Sequence, residues 1–155
     1  MMIGVISDTH GLMRPEALGR LAGVEQILHA GDIGSPEVLA ALAAIAPVTA
    51  IRGNKDRAAW ARDIPETVAV EVAGRRIYML HDRNDLDIDL RAQGIAILIS
   101  GHSHKPSQTY VDGLLYLNPG SAGPRRFKLP ITVARLQITE HELTAEILDC
   151  APSER

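Results

Sequence analysis

Five short apolar segments of this sequence are each followed closely by a side chain that can bind a metal ion. The segments are residues 2–7, 27–30, 48–51, 77–80 and 95–99. The polar residues that follow them are Asp8 with His10, Asp32, Asn54, His81, and His102 with His104. Short apolar runs of this kind are typical of buried β-strands, and open α/β sheets bind ligands beyond the carboxyl ends of their strands. We therefore predict that these seven side chains converge on one crevice.

Helical patterns separate the first three predicted strands, which is the order of βαβ units in a mostly parallel sheet. One helix is predicted to begin at Pro15. A second begins at residues 35–37, where Ser35 is the expected N-cap and Pro36 fits the first helical position. A short third helix is predicted over residues 86–93.

Alternating patterns and turn residues predict three hairpins. They lie within residues 68–80, within 108–117 with a turn at Asp112-Gly113, and within 131–149. The expected fold class is α/β: a four-layer αββα sandwich of two mixed β-sheets flanked by helices. Residues 1–155 are expected to form it as a single domain.

The composition, with 46% apolar and 23% charged residues, is that of an ordinary globular protein. A formal net charge of -3 argues against binding of long nucleic acid through phosphate neutralisation. The single cysteine, Cys150, excludes a disulfide or a thiolate metal cage within one chain, and the expected compartment is the cytoplasm. No run of about eighteen apolar residues is present, so no membrane association is expected.

Two pairs of candidate ligands, Asp8-x-His10 and His102-x-His104, have i, i+2 spacing. In extended backbone such residues point to the same side, so each pair is expected to straddle a metal ion. A glycine directly precedes three of the seven candidate ligands, in Gly31-Asp32, Gly53-Asn54 and Gly101-His102. These glycines are expected to allow a tight turn or a close approach to a ligand.

The donor set of carboxylate, imidazole and amide oxygen, without thiolate, suits a catalytic metal site better than a structural zinc site. We expect Mn²⁺, with Fe, Ni, Co or Zn as alternatives. Seven ligands exceed the needs of one ion, so two divalent ions that share a carboxylate are expected, with a bridging hydroxide as nucleophile. The resulting net positive pocket is expected to attract an anionic substrate.

These residues, in this order and spacing, resemble the calcineurin-like metallophosphoesterases, specifically their small bacterial and archaeal phosphodiesterase branch. Residues 118–121, Asn-Pro-Gly-Ser, followed by Pro124-Arg125, are similar to the tail motif of that branch. The resemblance implies one metal bound by Asp8, His10, Asp32 and His104. It implies a second bound by Asp32, Asn54, His81 and His102, with Asp32 as the bridge.

The resemblance also guides the functional assignments. Catalytic roles are assigned to Asp32, Asn54 and His102, and substrate binding to Asn54, Lys55 and Arg125. Many family members carry a His proton donor where this chain has Lys55, which puts general-acid catalysis in doubt. His81 is followed by Asp82-Arg83 instead of the usual Gly-His, so substrate selection is expected to differ.

Other polar residues have simpler interpretations. His29 is expected to be a buried, hydrogen-bonded histidine behind the site, and His141 an exposed turn residue. The acids Asp85, Asp87 and Asp89 suggest either a third cation site or, better, the N-terminus of the helix at 86–93. Trp60 is expected to pack against the core. Arg126, like Arg125, is an even choice between phosphate contact and surface charge.

The expected function is hydrolysis of a small phosphoester by a dinuclear metal-dependent phosphoesterase, with a phosphodiester as the preferred substrate. The alternatives are a phosphomonoesterase, a nuclease for short oligonucleotides, or a non-catalytic scaffold like the retromer subunit, which shares this fold. A small phosphoester is the expected partner, and a homo-oligomer is compatible with the sequence.

Overall fold

The computed structural model describes residues 1–150, and ten strands in it form two five-stranded sheets. The strands are β1 Met2–Ile6, β2 Gln26–His29, β3 Val48–Ala50, β4 Thr67–Val72, β5 Arg75–Leu80, β6 Ile95–Ile99, β7 Ser107–Val111, β8 Leu114–Asn118, β9 Thr132–Ile138 and β10 Leu143–Asp149. The first sheet has the order β10-β9-β1-β2-β3 and the second β4-β5-β6-β8-β7. Both sheets are mixed, which confirms the predicted α/β fold class.

Two α-helices form the crossovers of the first sheet, in which β1, β2 and β3 run parallel. They are α1, Pro15–Arg20, and α2, Pro36–Ala43, and each begins with proline as predicted. Ser35 has the extended backbone of an N-cap, but its side chain makes no capping hydrogen bond, so only its position was predicted correctly. Both helices pack on an apolar cluster that contains Leu21 and Leu42.

The three predicted hairpins are present. β4 pairs with β5, β7 with β8, and β9 with β10, all antiparallel. The β7–β8 turn has positive φ angles of 51° at Asp112 and 83° at Gly113, as a type I′ turn requires. His141, in the β9–β10 turn, is exposed as expected.

The inner faces of the two sheets form one apolar core, which includes the fully buried Ile3, Leu28, Ile97 and Leu115. β6 lies at the centre of the second sheet, parallel to both of its neighbours, and four of its five residues are buried. This agrees with the continuous apolar run that predicted a strand covered on both faces. Trp60 packs beside the cluster under the helices, as expected.

The helix predicted over residues 86–93 is wrong. A 3-10 helix covers Arg83–Asp85, and turns follow it. Leu86, Ile88 and Leu90 pack together on the outer face of the second sheet, which is a period of two and not of 3.6. The carboxylate of Asp89 accepts hydrogen bonds from the amides of Arg91 and Ala92 at 3.1 and 3.2 Å, a local turn that competes with a helix.

A second 3-10 helix, Ala59–Ala61, lies between β3 and β4. Among residues 1–150, no helix combines the length and apolar character needed to cross a membrane.

Candidate metal centre

The loops after β1, β2, β3, β5 and β6 meet at one edge of the sandwich and are joined by backbone hydrogen bonds. The amide of Asp8 donates to the carbonyl of Gly31 at 3.0 Å, and the amide of His10 donates to that of Asp32 at 2.9 Å. The amide of Gly101 donates to the carbonyl of His81 at 2.9 Å. The predicted convergence of these strand ends therefore occurs.

The side chains converge through an unexpected backbone conformation. Five of the predicted ligands have left-handed φ angles: Asp8 55°, His10 47°, Asp32 54°, His102 71° and His104 63°. The expectation of extended i, i+2 pairs is therefore wrong, although both members of each pair turn toward the crevice region. Left-handed non-glycine residues cost of order 1 kcal/mol each and cluster at functional sites.

The three glycines serve two purposes. Gly31 has a φ of 100°, a backbone conformation in which any residue with a side chain would be strained. Gly53 and Gly101 are required for close approach instead, because a Cβ at Gly53 would collide with the Asp32 carboxylate and one at Gly101 with Ser7 and Asp8. Both expected uses of these glycines are present.

A first group of donor atoms surrounds the carboxylate of Asp8, which is fully buried. Its Oδ1 lies 3.7 Å from Nε2 of His10 and 3.4 Å from Nε2 of His104, and the two imidazole nitrogens are 3.3 Å apart. Within residues 1–150, Oδ1 of Asp8 has no hydrogen-bond partner. Its other oxygen accepts from the hydroxyl of Ser7 at 2.7 Å and from the amide of His102 at 3.1 Å.

A second group shares Asp8 and adds Asp32 and His81. Nε2 of His81 lies 3.1 Å from Oδ2 of Asp32 and 3.6 Å from Oδ1 of Asp8. Oδ2 of Asp32 is also 3.8 Å from Nε2 of His10. Both carboxylates thus lie between the two histidine groups, and either has the position of a bridging ligand.

Asn54 and His102 lie at the outer side of the second group. With its amide nitrogen turned inward, Asn54 donates to both carboxylate oxygens of Asp32 at 3.3 Å. With the amide oxygen turned inward, two acceptors face each other, an arrangement that a cation between them would satisfy. The ring of His102 stands edge-on to that of His81, with centroids 5.3 Å apart, and its side chain is 45% exposed.

The carboxyl groups of the centre stay ionised because of the imidazoles around them. Burial opposes ionisation of Asp8, but the nearby imidazole of His104 and the charge of His81 outweigh it and lower the pKa of Asp8. Burial likewise opposes ionisation of Asp32, yet the hydrogen bonds from His81 and the Lys55 amide lower its pKa to about 2.

Protonation of His81 has the converse explanation. Burial would lower its pKa, but the hydrogen bond with Asp32 and the charge of Asp8 raise it to about 9. A divalent cation would be favoured in the place of this proton, among the anionic oxygens of Asp8 and Asp32.

His29 is buried behind the centre and makes two hydrogen bonds, as expected. The amide of Gly31 donates to its Nδ1 at 3.1 Å, so Nε2 carries the proton and donates to the hydroxyl of Thr9 at 3.0 Å. That hydroxyl donates to the carbonyl of Ile33 at 2.8 Å. His29 therefore fixes Thr9, between Asp8 and His10, against the loop after β2.

Asp56 is a functional residue that the sequence analysis missed. Its buried carboxylate accepts three backbone hydrogen bonds, from Ile33 at 3.0 Å, Gly34 at 3.0 Å and Gly53 at 2.9 Å. It thus holds the loops that carry Asp32 and Asn54 together. The sequence signal that could have identified it is an acidic residue, Asp56, two positions after Gly53-Asn54.

The segment that follows β8 braces the loops from the other side. Nδ2 of Asn118 donates to the carbonyl of Gly101 at 3.0 Å and to the hydroxyl of Ser103 at 3.1 Å. The hydroxyl of Ser121 donates to the carbonyl of Asp8 at 3.0 Å. This segment supports the ligands from behind and is more than a turn.

The predicted substrate-binding residues Lys55 and Arg125 are exposed. Lys55 is fixed beside the centre because its amide donates to Oδ1 of Asp32 at 3.0 Å. The neighbouring Arg126 affects the centre electrostatically. Burial lowers the pKa of His10, and the positive charge of Arg126 is one of the charges that lower it further. Arg126 therefore has a clearer connection to the site than Arg125.

A cavity of about 420 Å³ opens beside the centre, lined by Asn54, His81 and His102 among others. Its wall carries the carboxylates of Glu66, Asp82, Asp85 and Asp87 and one guanidinium, that of Arg52. A second cavity of about 240 Å³ lies on the other side of His102, toward Asn118. The expectation of a net positive pocket therefore needs correction, because negative charge surrounds the His102 side.

The donor set and its geometry fit divalent metal ions. Oδ1 of Asp8 is buried without a partner, and the nearby imidazole nitrogens and carboxylate oxygens form two groups whose ligand atoms lie within 4.8 Å of one another. Uncompensated buried carboxylate oxygens are costly, and coordination of a cation removes that cost.

Comparison with known proteins identifies the class to which this fold and centre belong. Residues 1–141 match the calcineurin-like phosphoesterase superfamily domain, and the chain belongs to that superfamily. A probable metallophosphoesterase of Methanothermobacter thermautotrophicus is 38% identical over 161 aligned positions, which cover 96% of this chain and 92% of the relative.

Two solved structures are also similar. One is an archaeal phosphodiesterase, 25% identical with a TM-score of 0.78, aligned over 96% of this chain and all of its own chain. The other is Vps29 of Entamoeba histolytica in complex with zinc, 26% identical with a TM-score of 0.75, over 97% of this chain and 100% of that one. The family and the donor groups define the class of this protein as a metal-dependent phosphoesterase.

Proposed function

We propose that this protein is a phosphodiesterase with a dinuclear metal centre. One ion would be held by Asp8, His10, Asp32 and His104, and the other by Asp32, Asn54, His81 and His102. The observation that carries this proposal is the buried, unpartnered Oδ1 of Asp8, with three imidazole Nε2 atoms at 3.4 to 3.7 Å from it. One ion could not take all seven side chains, so two are proposed.

Two bound divalent ions would supply Lewis-acid activation of water and of the phosphoryl oxygens. The residues of the chain orient the donors for this role. The carbonyl of Ala30, 2.8 Å from Nδ1 of His81, fixes that ring with Nε2 toward the carboxylates. Asp32 is proposed as the shared ligand because its carboxylate faces both His10 and His81.

Asn54, Lys55 and His102 are proposed to contact the phosphoester. Asn54 and His102 line the large cavity at the point where it meets the centre. The Lys55 side chain is exposed next to Asn54, where its ammonium can offset phosphate charge. Arg125 is proposed for the same role, and the neighbouring Arg126, whose charge acts on His10, has more support.

A diester is proposed as the preferred substrate. The chain has Lys55 in place of a histidine proton donor, so leaving groups that depart without full protonation are favoured. The likeness to an archaeal phosphodiesterase supports the same preference. Mn²⁺ is proposed as the resident ion because the donors are oxygen and imidazole. The cytoplasm is the proposed location.

Turnover by metal-reconstituted protein tests the proposal. Bis(4-nitrophenyl) phosphate and 4-nitrophenyl phosphate would be compared with Mn²⁺, Zn²⁺ or a chelator present, and bound metal measured by plasma emission spectroscopy. We expect two ions per chain and faster turnover of the diester. Asp8→Asn should lose both metal and activity, while Glu140→Gln, at the exposed β9–β10 turn, should lose neither. No turnover of either ester with two ions bound would contradict the proposal.

The likeness to Vps29 favours a second candidate function, a non-catalytic scaffold. A scaffold of this kind would bind metal without turnover of any phosphoester. The two candidates therefore differ in the same experiment, since both predict bound metal and only one predicts hydrolysis.

A further inference from the structure

The cavity beside the metal centre has a charge that phosphate binding does not explain. Asn54, His81 and His102 form the part of its lining that belongs to the centre. The remaining charged side chains are Glu66, Asp82, Asp85, Asp87 and Arg52. A phosphate bound at the centre would therefore have an acidic wall on one side, and that wall must act on whatever the phosphate is esterified to.

The single cation of this wall is already neutralised. A terminal nitrogen of Arg52 lies 3.2 Å from Oε1 of Glu66. Arg83, from the adjacent segment, stacks over the ring of Tyr116 at 5.1 Å and lines the smaller cavity instead. The carboxylates of Asp82, Asp85 and Asp87 thus give the cavity an excess of negative charge.

The carboxylates of Asp85 and Asp87 do not stabilise the fold through hydrogen bonds or ion pairs within residues 1–150. Within residues 1–150, the side chains of Asp85 and Asp87 are exposed and make no hydrogen bond or ion pair. Asp82, by contrast, accepts from the amide of Asn84 at 3.0 Å and lies 3.6 Å from Nε2 of His102. Asp85 and Asp87 are therefore free to act on a bound molecule.

A third metal ion does not account for the acidic wall. In the part of the chain that the structure describes, compact groups of three or more ligand atoms occur at the two groups of the metal centre, and neither includes Asp85 or Asp87. Carboxylates spread around a cavity act on a larger or more diffuse positive charge than that of a coordinated ion.

We propose that the cavity lined by Asp82, Asp85 and Asp87 binds the organic arm of the diester and selects an arm that carries a positive charge. This inference rests on the proposed function, since it assigns the phosphate to the metal centre. An arm with an ammonium group two or three carbons from the phosphate is the chemistry that such a wall fits. An arm with a second phosphate or a carboxylate would be rejected.

A pair of diesters with equal shape and different charge tests the inference. Both carry 4-nitrophenol on the phosphate; the second arm is choline in one and its uncharged isostere, 3,3-dimethylbutanol, in the other. We expect kcat/KM to be about tenfold higher for the choline ester, because each exposed ion pair contributes up to about fivefold. High salt should reduce this ratio through screening.

Variants assign the effect to the wall. The double variant Asp85→Asn with Asp87→Asn should bring the ratio to within about twofold of one, chiefly by lowering kcat/KM for the choline ester. Glu140→Gln, which removes a distant exposed charge, should keep the wild-type ratio. Equal kcat/KM for the two esters in the wild type, or an unchanged ratio in the double variant, would overturn the inference.

Failure of the proposed function gives a different result. In that case neither ester is hydrolysed, and binding of phosphocholine and of 3,3-dimethylbutyl phosphate to the metal-loaded protein is compared by calorimetry. Tighter binding of phosphocholine that is lost in the double variant would support the cavity assignment without catalysis. Equal affinities would overturn it.

Discussion

Nε2 of His81 lies 3.1 Å from Oδ2 of Asp32, while Nδ1 of the same ring lies 2.8 Å from the carbonyl oxygen of Ala30. Nδ1–H donates a hydrogen bond to this carbonyl, so Nε2 can hold either a proton or a metal ion toward Asp32. In the absence of metal, the contact with Asp32 and the charge of Asp8 raise the pKa of His81 to about 9. Protons and metal ions therefore compete for one position.

This competition predicts opposite pH dependences for two quantities: the stability of the protein in chelator and its affinity for Mn²⁺. The pKa of His81 rises from 6.5 in the unfolded chain to about 9 in the folded one, so its stabilising effect is complete below pH 6.5 and disappears as the pH rises through 9. The melting temperature in chelator should therefore fall across this range, while Mn²⁺ affinity should rise. His81→Gln should flatten both profiles, and a Mn²⁺ affinity independent of pH in the wild type would contradict the assignment.

Asp32 is expected to be more important than any ligand that serves one ion. Its carboxylate faces both His10 and His81, so Asp32→Ala should reduce metal content from two ions toward none. Activity should fall by more than the roughly 10- to 100-fold typical for loss of an outer contact. Metal content and kcat would be compared with those of His102→Ala, which should lose one ion first. Two ions per chain and near wild-type turnover in Asp32→Ala would exclude Asp32 as the bridge.

Asp56 should control the stability and the metal affinity of the site together. Asp56→Ala leaves the amides of Ile33, Gly34 and Gly53 without their acceptor, and a buried unsatisfied donor costs about 1 to 3 kcal/mol. We expect a loss of about 3 kcal/mol in the free energy of unfolding and weaker metal binding. Urea denaturation and metal titration measure the two effects. The exposed Asp63→Ala is the control, and equal effects in both variants would show that the three hydrogen bonds are not required.

His29 should make the protein sensitive to acid. Burial lowers its pKa to about 4, below the 6.5 of the unfolded chain, so protonation of the unfolded state removes stability as the pH falls from 6.5 to 4. The free energy of unfolding of the wild type should therefore lose about 2 kcal/mol more than that of His29→Gln between about pH 7.5 and about pH 5. Urea denaturation in chelator measures the difference. Parallel pH profiles for the two proteins would contradict this role of His29.

The sequence predicts the strands from local apolar patterns, and the convergence of the loops after them follows because parallel strands end at one edge of a sheet. The apolar run of β6 and the Asp112-Gly113 turn are fixed by residues close to each other in the chain. The predicted helix at 86–93 is wrong because Leu86, Ile88 and Leu90, two residues apart, cover the outer face of the second sheet with non-helical backbone.

The sign of the cavity charge could not be predicted in the same way. The sequence predicts Asp85 and Asp87 at a helix N-terminus, whereas in the structure they line one cavity with Arg52 and Glu66 from distant segments. Similarly, the left-handed φ angles of Asp8 and His104 result from loops that hold each other through backbone hydrogen bonds. Such features depend on contacts between segments, which one sequence does not contain.

Lys55 stands where many family members have a histidine, and its side chain is exposed beside Asn54. If Lys55 only offsets the charge of the bound phosphate, Lys55→Ala should raise KM for all diesters alike and leave kcat unchanged. Without a proton donor, the wild-type rate should also fall steeply as the leaving group becomes more basic. Rates for a series of aryl and alkyl diesters measure both effects.

Lys55→His provides the complementary test of the missing donor. A histidine at this position should speed hydrolysis of diesters with basic leaving groups more than that of nitrophenyl esters, because only the former need protonation as they depart. Each tenfold gain corresponds to about 1.4 kcal/mol of barrier, which is within the range of general-acid catalysis. A shallow leaving-group dependence in the wild type that becomes steep in Lys55→Ala would instead identify Lys55 itself as the acid, and Asn54 and its neighbours would then hold a complete catalytic set.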